Sequence, residues 1–145
     1  MIQIEPIGTV HTPFEETSEA PNQGYKADAQ GVISLDTAFE AGLADFEVGD
    51  TVLVLWWAEA ADEGILEVER AHGKGVFKTR SPARPNRICI TPCEITGIEG
   101  ADVEVRGVDM IDGTAIIDLK EPLDYLGPWD EYRDLREAYE RTKGA

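Results

Sequence analysis

The sequence is poor in cysteine, histidine and positive charge, and it contains no long apolar run. Two cysteines, Cys89 and Cys93, are too few for the disulfide framework of a small secreted scaffold. Their segment, Arg87-Ile-Cys-Ile-Thr-Pro-Cys-Glu-Ile95, alternates in part like a strand. Four strand positions span roughly 13 Å, beyond the ~7 Å that a disulfide bridges. Only His11 and His72 could join them, and the tight C-x2-C spacing of a zinc ribbon is missing. No metal is expected, and the cysteines read as buried structural residues. The longest apolar run, Val52 to Ala58, has seven residues, against the roughly 18 of a membrane span. Met1-Ile-Gln-Ile-Glu5 has neither the basic nor the apolar region of a signal peptide. A soluble, cytoplasmic protein with no membrane partner is expected. Thirteen Lys and Arg against 29 Asp and Glu give a formal charge of −16, which argues against the simplest nucleic-acid binder, a uniformly basic domain.

What is present is a chain of 145 residues, 42% hydrophobic. That is long enough for a sizeable core, too apolar for disorder, and matched to one domain over residues 1–145. The few bases are unevenly placed. Arg70 to Cys93 holds six of them (Arg70, Lys74, Lys78, Arg80, Arg84, Arg87) and no acid. This is either an incidentally basic loop or an anion-facing site in an acidic shell, where charge focused in a cleft overrides the net field.

Most segments read as short strands separated by turn residues: Ile2–Val10 (an edge or bulged strand, given Pro6 and Gly8), Gly31–Leu35, Thr51–Ala58, Ile65–Glu69, Ile88–Gly97, Ala101–Val108 and Ala115–Leu119. Gly73 onward begins strand-like with Gly-Val-Phe and becomes a Pro-Arg loop. Asp36 is placed to cap a short helix over Thr37–Leu43. Trp56 and Trp57, adjacent in a strand, point to opposite faces. Residues 128–143 read as a helix, with Pro128 at its first position and Trp129, Tyr132, Leu135 and Tyr139 on one face. The pattern predicts an all-β fold, a barrel or sandwich of short strands, with a C-terminal α-helix. Neither common nucleotide-binding fingerprint occurs, and no Ser or Cys lies in a recognisable nucleophile motif.

Two segments carry candidate chemistry. In Lys78-Thr-Arg-Ser-Pro-Ala-Arg-Pro-Asn86, Pro82 and Pro85 stiffen the loop that holds Arg80 and Arg84. Two arginines on a stiff loop suit bidentate capture of a carboxylate or phosphate, though a loop with two idle surface arginines has the same pattern. In Gly107-Val-Asp-Met-Ile-Asp-Gly-Thr-Ala-Ile-Ile-Asp-Leu-Lys120, Asp112-Gly113 is a tight-turn signal of the ordinary hairpin kind. Asp109, Asp118 and Lys120 charge a stretch otherwise fit for burial, so they need partners, for which the basic loop is the obvious candidate.

These two segments, together with Ile7-Gly-Thr-Val-His-Thr-Pro-Phe14 and in the same order, resemble the TrmO (TsaA-like) family of S-adenosylmethionine-dependent tRNA methyltransferases. Ala20-Pro-Asn-Gln-Gly24, Gly31-Val-Ile33 and the Trp56 strand agree as well, so the resemblance runs from Ile2 to about Lys120. It implies a small single-sheeted β-barrel, a homodimer, S-adenosyl-L-methionine as cofactor, and methylation of the N6 nitrogen of N6-threonylcarbamoyladenosine beside the tRNA anticodon. The implied cofactor pocket draws on Gln23, Arg80, Ser81, Arg84, Pro85, Asn86, Asp112, Gly113 and Thr114, with Asp109 among them. Asp109 or Asp118 is the candidate catalytic base, and Lys78, Arg87 and Lys120 are the candidate substrate contacts. The chain departs from the family pattern at Arg87 and Cys89, where Pro and Gly are usual, at Ala115, where Pro is usual, and at Glu121-Pro122, where Pro-Tyr is usual.

The chemistry suits the residue types. Methyl transfer from a sulfonium is an in-line displacement that relies on placement and needs neither a metal nor a covalent intermediate. Two rival readings stay open at this point: the same cofactor with a small-molecule acceptor, and a non-catalytic module that binds the cofactor without turnover.

Overall fold

Alternation of apolar residues builds the expected strands, and the computed structural model closes six of them into a ring. It describes residues 1–16, 18–20, 28–59, 66–68, 73–122, 134, 137–138 and 141. The strands are β1 (Gly8–His11), β2 (Gln30–Leu35), β3 (Thr51–Trp57), β4 (Glu67–Val68), β5 (Lys74–Gly75), β6 (Ile88–Glu99), β7 (Asp102–Arg106) and β8 (Thr114–Lys120). The closed barrel runs β1-β2-β7-β6-β3-β8 and back to β1, and β4 pairs with β5 as a separate two-stranded piece. Every pairing is antiparallel. One side of each barrel strand points inward, giving a core of Val10, Ile33, Leu35, Val52, Val54, Cys93, Ile95, Val103, Val105 and Ile116, with Leu43, Val108 and Met110 added from connections. Each such side chain contributes roughly 1.5–3 kcal/mol on burial.

Two register shifts shape the wall. Long β6 pairs through its first half with β3 and through its second with β7, and a bulge between Ile95 and Gly97 leaves Thr96 unmatched. A second shift, where Trp56 pairs with Ile116 and Leu55 with Asp118, leaves Ile117 unmatched. It swaps the inward side of β8 from Thr114 and Ile116 to Leu119, which packs on the core. Asp118 is thereby turned outward, where its Oδ2 lies 3.5 Å from Lys120 Nζ. At Gly8 a Cβ would run into the Ser34 carbonyl, so only glycine lets β1 and β2 approach.

Because directions alternate around the ring, alternate connections meet at the same end. The upper end, where β1, β3 and β7 finish, gathers, among the described residues, 12–16, 18–20, 28–29, 58–59, 66–68, 73–87 and 107–113. The lower end gathers residues 36–50 and the β6–β7 hairpin at Gly100. There Asp36 Oδ1 accepts from Ala38 N at 3.0 Å, capping Thr37–Leu43 as expected, but the segment is a 3-10 helix with Leu43 buried against the core.

Several expectations change in detail. The first strand is four residues, not nine, because Pro6 has no N–H for the ladder. Gly-Val-Phe gives a strand of only Lys74–Gly75, followed by a 3-10 turn over Val76–Lys78. Asp112-Gly113 does form a tight turn, with Thr114 N donating to Ile111 O at 3.2 Å and Gly113 at φ +83°. Its arms are not a hairpin, since β7 pairs with β2 and β6 while β8 pairs with β1 and β3. In the expected C-terminal helix Asp134, Glu137, Ala138 and Arg141 are helical and exposed. Its aromatic face of Trp129, Tyr132, Leu135 and Tyr139 lies outside the described residues, and so does Gln23. No helix among the described residues is long and apolar enough to cross a membrane.

Candidate functional site

The motif residues that lie in connections meet at the upper end, and β6 supplies the floor beneath them. Cys89, Thr91 and Cys93 are buried on its inward side. Cys89 stands opposite Trp56 of β3, which places Thr91 on the diagonal from the indole. Trp56 Nε1 donates to Thr91 Oγ1 at 3.0 Å, and Thr91 Oγ1 donates to Asp109 Oδ1 at 2.6 Å. Asp109 is half-buried between Val108 and Met110, whose buried side chains fix the connection on either side of it.

The rest of the 107–113 connection is riveted to the end of β1. Thr12 Oγ1 donates to Met110 O at 2.9 Å, and Asp112 Oδ1 accepts from Thr12 N at 3.1 Å. Asp112 N and Gly113 N donate to Phe14 O and Val10 O at 2.6 and 2.8 Å. His11 Nδ1 is 3.5 Å from the Asp112 carboxylate. Thr114 Oγ1 closes the turn by donating to Ile111 O at 2.7 Å. Asp112, Gly113 and Thr114 thus form a frame that holds Asp109, and Asp112 spends its carboxylate on β1.

The Pro-Arg loop is as stiff as its prolines imply. Thr79 Oγ1 donates to Val76 O at 2.8 Å and accepts from Ser81 N at 3.2 Å. Arg84 Nη1 donates to both Thr79 O and Ser81 O at 3.2 Å, so the guanidinium is held by one nitrogen and presents its other donors. Arg80 Nη2 donates to Ile90 O at 2.7 Å, tying the loop to β6. Pro85 and Asn86 are exposed at the rim, with Asn86 O accepting from Ile88 N at 2.7 Å. Lys78 is exposed at the end of the 3-10 turn, next to Phe77, which is 77% exposed. Arg87 lies over the Trp57 ring, 5.1 Å from its centroid, and its Nη1 donates to Glu59 O at 2.6 Å. Trp56 and Trp57 therefore do face opposite ways, one toward Thr91 and one under Arg87.

Electrostatics tie loop and connection together. Burial pushes the Cys89 thiol up to about 11; Arg84 and Arg80 oppose that rise and Asp109 adds to it. Cys89 thus feels Arg84, Arg80 and Asp109 at once. Burial, with Asp109 adding, pushes Cys93 up to about 12. Both thiols are free and protonated at neutral pH. Among the described residues no cluster of His, Cys, Asp and Glu could hold a metal ion.

The structure therefore brings Arg80, Ser81, Arg84, Asp109, Asp112, Gly113 and Thr114 to one end of the barrel, with Lys78, Pro85, Asn86 and Arg87 around the rim. Asp118 and Lys120 are not part of this group; they sit beyond the bulge on the outer wall, paired with each other. Sequence reasoning passed over Thr91 and Trp56 as site residues, since a lone threonine in a strand carries no motif. The strand register is the signal that finds them. It also passed over Thr12, which anchors the frame.

Comparison with known proteins bears on this end of the barrel. The model of the tRNA-methyltransferase O N-terminal domain matches residues 9–127. A protein of Halobacterium salinarum, named a probable S-adenosyl-L-methionine-binding protein, is 46% identical over 121 residues, covering 82% of this chain and 97% of that one. A tRNA (adenine(37)-N6)-methyltransferase of Mus musculus is 46% identical over 61 residues, which is 42% of this chain and 14% of that protein. The crystal structure of TrmO from Pseudomonas aeruginosa matches with a TM-score of 0.73 at 27% identity, over 88% of this chain and 60% of the solved one. This chain thus spans less than two thirds of that solved relative. With the family model matching well over half of the sequence, and the motif residues gathered at one rim of the barrel, the chain belongs to the tRNA-methyltransferase O N-terminal domain family.

Proposed function

We propose that this chain is an S-adenosyl-L-methionine-dependent methyltransferase with its site at the upper end of the barrel. The observation that carries the reading is the convergence of Arg80, Arg84 and Asp109 on the Cys89 end of β6. The donor set fits the cofactor, which supplies an electrophilic methyl group on a positively charged sulfur. The free edge of the Arg84 guanidinium suits a carboxylate, and the Asp109 carboxylate suits a nearby cation. The neutral wall of Cys89, Thr91 and Cys93 keeps water from one side of the site. Asp109 is the residue placed to take a proton from an N–H acceptor as the methyl group arrives, because Asp118 faces away on the outer wall. Calorimetry tests the cofactor: binding is expected, weakened strongly in Arg84→Ala, and no binding at millimolar cofactor overturns the reading.

The family and the basic stretch support a reading of the acceptor. We take it to be the N6 nitrogen of N6-threonylcarbamoyladenosine in tRNA, with Lys78 and Arg87 at the rim as backbone contacts. With −16 overall, tRNA contact is confined to this rim and is steeply salt-dependent. Mass spectrometry of total tRNA from a deletion strain tests it; unchanged N6 methylation of that nucleoside rules the acceptor out. One observation favours a second reading, a small-molecule acceptor: Arg87 already stacks on Trp57 and bonds Glu59 O. The proposed working unit is a single-domain homodimer. Phe77 and Ile90, exposed beside Arg80, offer apolar surface to a second copy next to the site. Light scattering of the purified protein tests that state.

A further inference from the structure

We infer that Thr91 is a positioning residue for Asp109, with Trp56 fixing the direction in which its hydroxyl points; the inference rests on Asp109 belonging to the site proposed above. The direction follows from the donor inventory. An indole N–H only donates, so Thr91 Oγ1 accepts from Trp56 at 3.0 Å, and its single proton is left for Asp109 Oδ1 at 2.6 Å. That length lies at the short end of the O–H···O range and suits a carboxylate acceptor.

Other threonines show that this arrangement is not the default. Thr79 and Thr114 each return the hydroxyl to a carbonyl three residues back, at 2.8 and 2.7 Å, as strand-end and turn threonines commonly do. Thr91 reaches a carboxylate 18 residues away. It is 2% exposed, so water does not compete for the bond, whereas Asp109 is half-buried and opens to the rim. Thr91 itself is too deep to touch an acceptor on the rim. Its effect passes through one carboxylate oxygen, which it holds still, and displacement of a reacting group by about 1 Å can cost on the order of 100-fold in rate.

Thr91→Val, Thr91→Ser and Trp56→Phe test the inference. Each is assayed for S-adenosyl-L-methionine binding by calorimetry and for methyl transfer to total tRNA from a deletion strain. Nuclear magnetic resonance follows the Trp56 indole N–H and the Asp109 carboxyl carbon. In Thr91→Val, kcat is expected to fall by about 100-fold with KM for the cofactor little changed, and both resonances move. Thr91→Ser restores the rate and the resonances, and Trp56→Phe gives an intermediate loss. Wild-type kcat in Thr91→Val, or Thr91→Ser as slow as Thr91→Val, overturns the inference. If Thr91→Val does not fold, a full rate in Trp56→Phe overturns it, and a reduced rate beside an active Thr91→Ser supports it. If the wild type neither binds nor transfers, the functional reading fails on its own. The carboxyl resonance then decides: movement in Thr91→Val but not in Thr91→Ser supports positioning, and no movement overturns it.

Discussion

The two ends of the barrel share one core and differ in almost everything laid over it. At the lower end, the connection from Asp36 to Asp50 carries five acids and no base. Its 3-10 helix drops Leu43 into the core, and its cap satisfies its own backbone. At the upper end, Gly73 to Arg87 carries five bases and no acid, and faces Asp109 across β6. The lower end spends its polar groups on closing the chain. The upper end holds its arginines in place through backbone carbonyls and Asp109 through the Thr91 hydroxyl, leaving them partly open to the rim. An antiparallel ring imposes this division, because alternate connections share an end. One end can then carry chemistry while the other carries stability. The five bases of Gly73 to Arg87 give one stretch of the upper rim a local positive charge that suits an anionic partner, although the neighbouring connections at that end are acidic.

Changes at the two ends are therefore expected to act on different quantities. The largest effect is expected from Asp109→Asn, which lowers methyl transfer by about 100-fold or more, while Asp118→Asn, on the outer wall, leaves it unchanged; a radiolabelled transfer assay compares them. Next, Arg84→Ala weakens cofactor binding by roughly 1.5–3 kcal/mol, the loss of charged hydrogen bonds. Arg106→Ala, which removes a pair with Glu94 at 2.9 Å on the barrel wall, leaves binding intact; calorimetry separates the two. Asp36→Ala at the lower end removes the cap and costs about 1 kcal/mol of stability in denaturant unfolding, with cofactor affinity unchanged. Loss of affinity there would break the comparison. The smallest effect is in pH dependence. The folded thiols titrate near 11 and 12, above their ordinary value of 9.0. Their burial therefore stabilises the fold fully below about pH 9, and that stabilisation fades as pH rises toward 11 and 12. Melting temperatures from pH 8 to 11 should fall less steeply in Cys93→Ala than in the wild type.

Much of the fold was legible where local rules act alone. Short alternating strands, the Asp36 cap and the opposed tryptophans follow from periodicity and side-chain chemistry within a few residues. The closing of the ring is not local. Asp112-Gly113 makes the turn its residues favour, yet its arms pair with β1, β2, β3 and β6. Val76–Phe77 has strand-forming side chains but is held as a 3-10 turn. The arginine loop and Asp109 were legible as candidates because their motifs are contiguous. Asp118 was not separable from Asp109, since the bulge at Ile117 that turns it outward comes from the register of β3 against β8. Thr91 was invisible for the same reason, because only register sets a threonine diagonal to an indole.

The closed ring also limits how this protein can associate. All six barrel strands have a neighbour on both sides, although β6 meets β3 only through its first half and β7 only through its second. Where the described strands are paired on both sides, association by strand addition, the usual route from an exposed β edge to fibrils or to swapped dimers, is blocked. A partner that joins the paired wall, a second copy or a folded RNA, is recognised by side chains, and a few rim substitutions are then enough to change partner without disturbing the wall.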